Sequence, residues 1–250
     1  MTILADLLPE TPTFLDDLTP DSGLSLRRWT LGEYHRMAYP IIFGPEERTE
    51  LIHGEIMVFG EGVPRLFNRE EYYRLAKYGI LQPDERTELI YGRVIKRMGP
   101  MGEPHSISIM KTADALEDAF GPGWVVRQQL SLRLNSGLEP EPDVLVVPGV
   151  PDDYADVPIS SVALLLVEVS DTTLRYDRGT KAAMYATDSV PDYWLINLRY
   201  RTLEVRRQPE NGEYLSLDVY GEQESIAPLA APRSPVRVAA LLPLTRPQAS

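Results

Sequence analysis

The apolar and polar positions of this chain fall into short stretches of two different periods. Residues 163–167, ALLLV, form an apolar run that Glu168 interrupts and Val169 continues. A second run, EPDVLVV at 141–147, carries Asp143 near its start. Runs of this length, rich in Leu and Val, predict buried strands. In 105–120, Ile109, Ala113, Leu116 and Phe120 share one face, which predicts an amphipathic helix stopped by Gly121-Pro122-Gly123. Residues 124–134 alternate, with Val126, Gln128, Leu130, Leu132 and Leu134 in one parity, and predict a strand. Asn135-Ser136-Gly137 turns the chain into the Asp143 strand, and a loop at 148–160, rich in Pro and Asp, leads to the Glu168 strand. A helix is predicted over 177–187, where Asp177, Lys181 and Tyr185 share one face. Strands are predicted at 193–198, 202–207 and 214–219, with a last apolar segment at 236–242. The core order is therefore helix, two antiparallel strands, a third strand, helix, strand.

Upstream lies an internal repeat. EYHRMAYPIIFGPEERTELIHG (33–54) aligns without gaps to EYYRLAKYGILQPDERTELIYG (71–92), at an offset of 38 residues and with 13 of 22 positions identical. Each copy predicts a short helix, a loop containing proline and a strand starting at Thr-Glu-Leu-Ile. After Gly92 the chain continues into 93–97, RVIKR, a hairpin partner. The first copy runs instead through Gly60, Gly62 and Pro64 into the second. The expected organisation is a disordered acidic lead-in at 1–26, a partial duplicated helix-strand unit at 27–65, a main domain at 66–243 and a flexible tail at 244–250. The first copy holds none of the acids or the lysine proposed below for chemistry. It is expected to be an accessory element, dispensable for the main domain.

Composition narrows the class. The 250 residues fit one large domain with an addition, and 43% hydrophobic content suffices for a packed core. No run of 18 apolar residues predicts a membrane span, and the acidic N-terminus does not resemble a signal peptide. The absence of cysteine excludes disulfides and thiolate metal sites and fits a cytoplasmic protein. A net charge of −12 argues against a general nucleic-acid-coating surface, so any such contact must be local. The one markedly basic part follows the Glu168 strand: Arg175, Arg178, Lys181, Arg199, Arg201, Arg206 and Arg207. These predict a phosphate-binding face; the plainer reading is a solvated hairpin.

A carboxylate in a buried strand costs several kcal/mol unless it is paired or binds a metal. Two acids on neighbouring apolar strands, with a lysine on the next helix, therefore point to a site. Pro142-Asp143, Glu168-Val169-Ser170, Asp177 and Lys181 resemble the PD-(D/E)XK nuclease superfamily. More closely, PEPDVLVV, LLLVEVSDTT, YDRGTKAAMYA and VPDYWLIN resemble the bacterial Uma-two family of restriction-endonuclease-like proteins, and TELIYGRVIKRMGP and His105 match its N-terminal half. The resemblance covers about 67–242. It implies an α/β fold, a restriction-endonuclease-like core with a mixed central sheet flanked by helices, and a metal-dependent phosphodiesterase. The superfamily pattern has a lysine two residues after the second acid; Ser170 stands there, and Lys181 matches a helix lysine that replaces it.

The chemistry fits these residue types. Phosphodiester hydrolysis needs phosphate charge neutralised and a water activated, which Mg²⁺ or Mn²⁺ supplies. Mg²⁺ takes hard oxygen ligands, commonly one or two carboxylates plus waters and substrate oxygens. Asp143 and Glu168 are the expected carboxylates, the Val169 carbonyl a further ligand, and Lys181 an aid to the water or the phosphate. Accessory candidates are Glu141, two residues before Asp143; Gln128, on the adjacent hairpin arm; Ser170, in parity with Glu168; Asp177; His105; and Glu88, which matches a family position although its twin Glu50 lies outside any site. The expected partner is nucleic acid, most of all DNA, with no membrane, and a homodimer remains open. The rival readings are structural. Asp143 could be a turn residue, Glu168–Lys181 a plain salt bridge, and the whole an inactive nuclease-like module that binds nucleic acid or a protein. A glycosidase using paired carboxylates fits poorly, because no aromatic sugar platform lies near the acids.

Overall fold

The structure is a computed structural model and describes residues 13–97, 102–154 and 163–244. Its described residues form two compact units, the first comprising 18–97 and 137–140, the second 13–17, 102–136, 141–154 and 163–244.

The first unit holds the repeat. Strand β1 (Leu24–Leu26) precedes helix α1 (Leu31–Arg36) and the hairpin β2 (Thr49–Ile52)–β3 (Glu55–Val58). The second copy gives helix α2 (Arg69–Lys77) and the hairpin β4 (Thr87–Ile90)–β5 (Arg93–Arg97), with β1 added antiparallel to β5. Both helices start with a capping box, Thr30 with Glu33 and Asn68 with Glu71, which satisfies two orphan backbone donors at each N-terminus. Both hairpins turn on two residues with positive φ, His53-Gly54 and Tyr91-Gly92, as the twist of paired strands favours. At Gly92 a Cβ would sit 2.7 Å from the Leu66 Cβ, so only glycine fits. The first copy thus has its own hairpin partner, β3, which the sequence reading gave only to the second. Residues 13–26, expected to be a disordered lead-in, hold two short 3₁₀ turns, Thr13–Asp17 and Pro20–Ser22, as well as β1. Strand pairing and burial of Leu24 override their acidic, proline-containing composition. Residues 1–12 and 245–250 lie outside the described residues.

The two copies share one core. Trp29, Met37 and Ile56 from the first pack in the same buried cluster as Phe67, Leu75 and Val94 from the second, a cluster that a boundary at residue 65 would divide. Ion pairs ring this core. Burial alone would raise the Glu33 carboxyl, but hydrogen bonds from Arg27 and Thr30 outweigh it and bring it from 4.5 to about 2. Against the same cost of burial, Glu47 is lowered by Arg65 and the Gly44 N–H, Glu55 by Arg28 and Arg93, and Glu85 by Lys96, the Gln82 N–H and Arg27. Depressed carboxylates stabilise the fold above their unfolded range and lose that contribution as pH falls through the folded one. The unit should therefore weaken between about pH 4.5 and 2. Urea unfolding at pH 6 and pH 3, read through Trp29 after Trp124→Phe and Trp194→Phe, should show a lower midpoint at pH 3. An unchanged midpoint would mean that the ion pairs contribute nothing.

The second unit carries a six-stranded sheet. Helix α3 (Glu103–Phe120) leads to β6 (Trp124–Gln128), β7 (Val144–Pro148) and β8 (Leu165–Ser170). A helical crossover follows: α4 (Leu174–Tyr176), a π-helical turn (Asp177–Lys181) and α5 (Ala182–Thr187). Then come β9 (Asp192–Asn197), β10 (Thr202–Glu210) and β11 (Glu213–Gly221), the small pair β12 (Ser225–Ile226) and β13 (Val236–Arg237), and helix α6 (Val238–Leu241). The sheet order is β11-β10-β9-β8-β7-β6; β8 and β9 are parallel and every other neighbouring pair is antiparallel. This is the mixed α/β sheet the sequence predicts. One face packs Val144, Val146, Val167 and Val169 against Ile109, Leu116 and Phe120 of α3. The strand expected over 124–134 stops at Gln128, because Gln129 takes φ 50° and leaves the extended path. Among the described residues no helix is long and apolar enough to cross a membrane.

Candidate active site

Asp143 and Glu168 stand at facing strand ends. The β7–β8 ladder is registered to Val144 opposite Val167, and one further step sets Asp143 against Glu168. Both are 1% exposed. Asp143 precedes β7 rather than lying within it, since Pro142 lacks the N–H a ladder needs. Its carboxylate takes over the pairing: Oδ2 accepts from the Val169 N–H at 2.9 Å, and Oδ1 lies 3.2 Å from His105 Nε2. His105, in the first turn of α3, is thus brought to the site as the sequence suggested.

Glu168 lies between Val167 and Val169, which face α3, and its side chain meets the crossover helix on the opposite face of the sheet. There its Oε1 accepts from Lys181 Nζ at 2.8 Å and from Tyr185 OH at 2.6 Å. Lys181 is fully buried. Its ammonium also lies 3.5 Å from the Glu141 carbonyl. The π-turn inserts its extra residue at Asp177–Lys181, directly where the helix presents the lysine; such bulges are frequent at functional sites. Asp177 accepts from Thr173 Oγ1, while its backbone carbonyl accepts from Tyr193 OH at 2.9 Å. Burial, and then the nearby Asp177 and Glu168, push the Tyr193 hydroxyl well above its ordinary range, so it remains a neutral donor. Tyr185 was legible only as a neighbour of Lys181 on a helix face. Its role as second donor to Glu168 depends on the crossover geometry.

The accessory candidates separate. Glu141 approaches through its backbone, and it lies before β7 rather than on it, so strand parity does not place its side chain with Asp143. Gln128 closes β6 opposite Val144, on the side of α3 and away from Lys181, and is exposed. Ser170 is buried at the end of β8 and faces Thr173 Oγ1 at 3.5 Å. Glu88 belongs to the first compact unit, in β4.

The basic stretch is largely neutralised within the fold. Arg178 forks onto Glu204 at 2.9 and 3.1 Å, and Arg206 reaches the same carboxylate at 3.0 Å. Arg207 pairs with buried Asp192 at 2.9 Å, Arg175 with Asp17 at 2.8 Å, and Arg201 with Glu222. Most of the phosphate-binding face expected from sequence is instead a set of ion pairs, because Arg175, Arg178, Arg201 and Arg207 each meet an acid distant along the chain; Arg206 adds a near neighbour's carboxylate, and Arg199 lies over the Tyr200 ring.

The donor set suits a hard divalent cation. Among the described residues no three His, Asp or Glu side chains gather as a metal cluster. Mg²⁺, however, commonly uses only one or two carboxylates and fills its remaining positions with water and substrate. Two buried carboxylates at neighbouring strand ends are donors of the type it takes.

No curated protein matches the chain. A solved structure described as "a putative nuclease belonging to DUF820 from Anabaena variabilis" is similar, with 18% identity, a TM-score of 0.48, and coverage of 62% of this chain and 88% of that one. The family model Uma2, described as "Putative restriction endonuclease", matches residues 69–238. That span includes both acids, the crossover lysine and the strands that hold them, and it is more than half of the chain: the protein belongs to the Uma2 family.

Proposed function

We propose that the protein is a metal-dependent nuclease that hydrolyses phosphodiester bonds, foremost in DNA. The observation that carries this reading is two carboxylates at facing strand ends, each 1% exposed, with a fully buried lysine on one of them. Family membership supports it, since restriction-endonuclease-like nucleases generally use divalent metals. Asp143 and Glu168 would hold Mg²⁺ or Mn²⁺, with the Val169 carbonyl as a further ligand. The bound cation would neutralise phosphate charge and activate water. The Val169 N–H and His105 fix the Asp143 carboxylate between them. Lys181 and Tyr185 both donate to Glu168 Oε1, and the Lys181 ammonium would orient a water or steady charge developing on the phosphate.

A second reading draws on the same contacts. Each carboxylate is already engaged by protein donors, and the arginines beyond the site are compensated, as expected of a nuclease-like module that only binds. Supercoiled plasmid and a single-stranded RNA, incubated with Mg²⁺, Mn²⁺ or chelator, separate the two. Cleavage of the plasmid that requires metal and disappears in Asp143→Asn supports the enzyme. Absence of cleavage, together with no Mn²⁺ binding by calorimetry, supports the module.

A further inference from the structure

The two repeat copies in the first unit are arranged as the halves of a two-fold dimer. Arg27, ahead of α1, bonds its own helix's Glu33 at 2.8 Å and reaches across to Glu85 of the second copy at 3.1 Å. Arg65, 38 residues later, bonds its own Glu71 at 2.6 Å and reaches across to Glu47 of the first copy at 2.7 Å. Each residue in one set is the 38-residue counterpart of a residue in the other. The backbone repeats the pattern. The Arg27 N–H donates to Val94 O at 2.8 Å, and the Arg65 N–H to Ile56 O at 2.8 Å. The segment before each helix is therefore added to the other copy's hairpin: strand β1 to β5, and a single bridge from Pro64 to Met57 of β3. The axis passes between Trp29 and Phe67, which are counterparts with ring centroids 5.4 Å apart. A small pocket of about 20 Å³ is lined by five residues from each copy, each the 38-residue counterpart of one in the other copy.

One position breaks the symmetry. Glu55 and Arg93 are counterparts, both line that cavity, and they pair with each other at 2.6 Å. Two identical chains would bring like charges together here. A tandem copy allows opposite charges, which favours pairing within the chain.

We propose that the first copy is a built-in subunit: the surface of the second copy that it covers is a self-association surface, and the partner it fits is another α2–β4–β5 module. Exchange of strands, reciprocal arginine forks and a shared core are what an isologous interface requires. The first copy occupies that surface in cis, and the Glu55–Arg93 pair holds it there.

Two measurements on the full-length chain test this. In the first, made in an Arg28→Ala background because Arg28 also pairs with Glu55, Glu55→Arg and Arg93→Glu should each lower the melting temperature by about 3 °C or more, and the charge-swapped double variant should regain most of the loss. A double variant no better than the singles overturns the cross-copy pairing. The second uses the absence of native cysteine. Arg93→Cys alone should give no disulfide-linked dimer. Added to Trp29→Asp and Met37→Asp, which disable the first copy, it should give a cross-linked dimer, because the second copies of two chains then meet at the axis. If this variant, or Met37→Asp with Arg93→Cys should the double aspartate variant lose its helix content, stays folded and uncross-linked, the second copy has no self-association surface and the proposal fails.

Discussion

Asp143→Asn should lower metal-dependent cleavage by at least about a hundredfold, the order seen when one preorganised electrostatic group is removed from an active site, while the fold remains intact. The substitution keeps the shape and one carbonyl oxygen. That oxygen can still accept the Val169 N–H now bound at 2.9 Å, so the strand end stays tied. What is lost is the negative charge and a hard anionic donor. The retained backbone bond makes this variant a cleaner probe than Asp143→Ala, which would leave a buried N–H unpaired. Plasmid nicking under Mg²⁺ and Mn²⁺, alongside a thermal melt, reads both effects. Parent-level nicking would remove Asp143 from the chemistry.

Glu168 and Lys181 should behave differently, because stability and activity are coupled there. Their side chains are 1% and 0% exposed, and the contact is 2.8 Å. Removing one member of a buried pair strands the other's charge, at a cost of roughly 3–5 kcal/mol. Glu168→Gln and Lys181→Met should each lose about that much stability in urea titrations, as well as cleavage. Replacing the pair by an apolar one often costs little. The triple variant Glu168→Leu, Lys181→Met, Tyr185→Phe should therefore recover stability and still fail to cut. Such a result would assign the pair to chemistry rather than to holding the sheet together. Single losses below about 1 kcal/mol would instead show that the pair is not desolvated as the structure places it.

The two acids were legible because a carboxylate inside an apolar run has few innocent explanations. Asp143 stands at the start of such a run and Glu168 within one, and the single loop between them made neighbouring strands the simplest arrangement. Lys181 was legible through its spacing to Asp177 and Tyr185. The rest depended on information that is not local. Nothing in the sequence marks Gln129 as left-handed, so the strand after Trp124 was drawn six residues too long. The compensation of the arginines was hidden for a similar reason: Arg178 finds Glu204, 26 residues away, only after β10 has been laid beside β9. The hairpin of the first copy was within reach. Ile-His-Gly-Glu matches Ile-Tyr-Gly-Arg at the turn, and Gly54 carries the same signal as Gly92. Attention to the glycine spacing after the first copy would have supplied β3.

The burial of Lys181 sets it apart from the other three lysines, 77, 96 and 111, of which Lys96 is 39% exposed at its side chain. An acylating reagent can reach the Lys181 amine only when the crossover lifts from β8 and the ammonium gives up its proton. The time course of its modification is thus a clock for that opening. It would tell how often water and ions gain entry to a place that the resting fold keeps sealed.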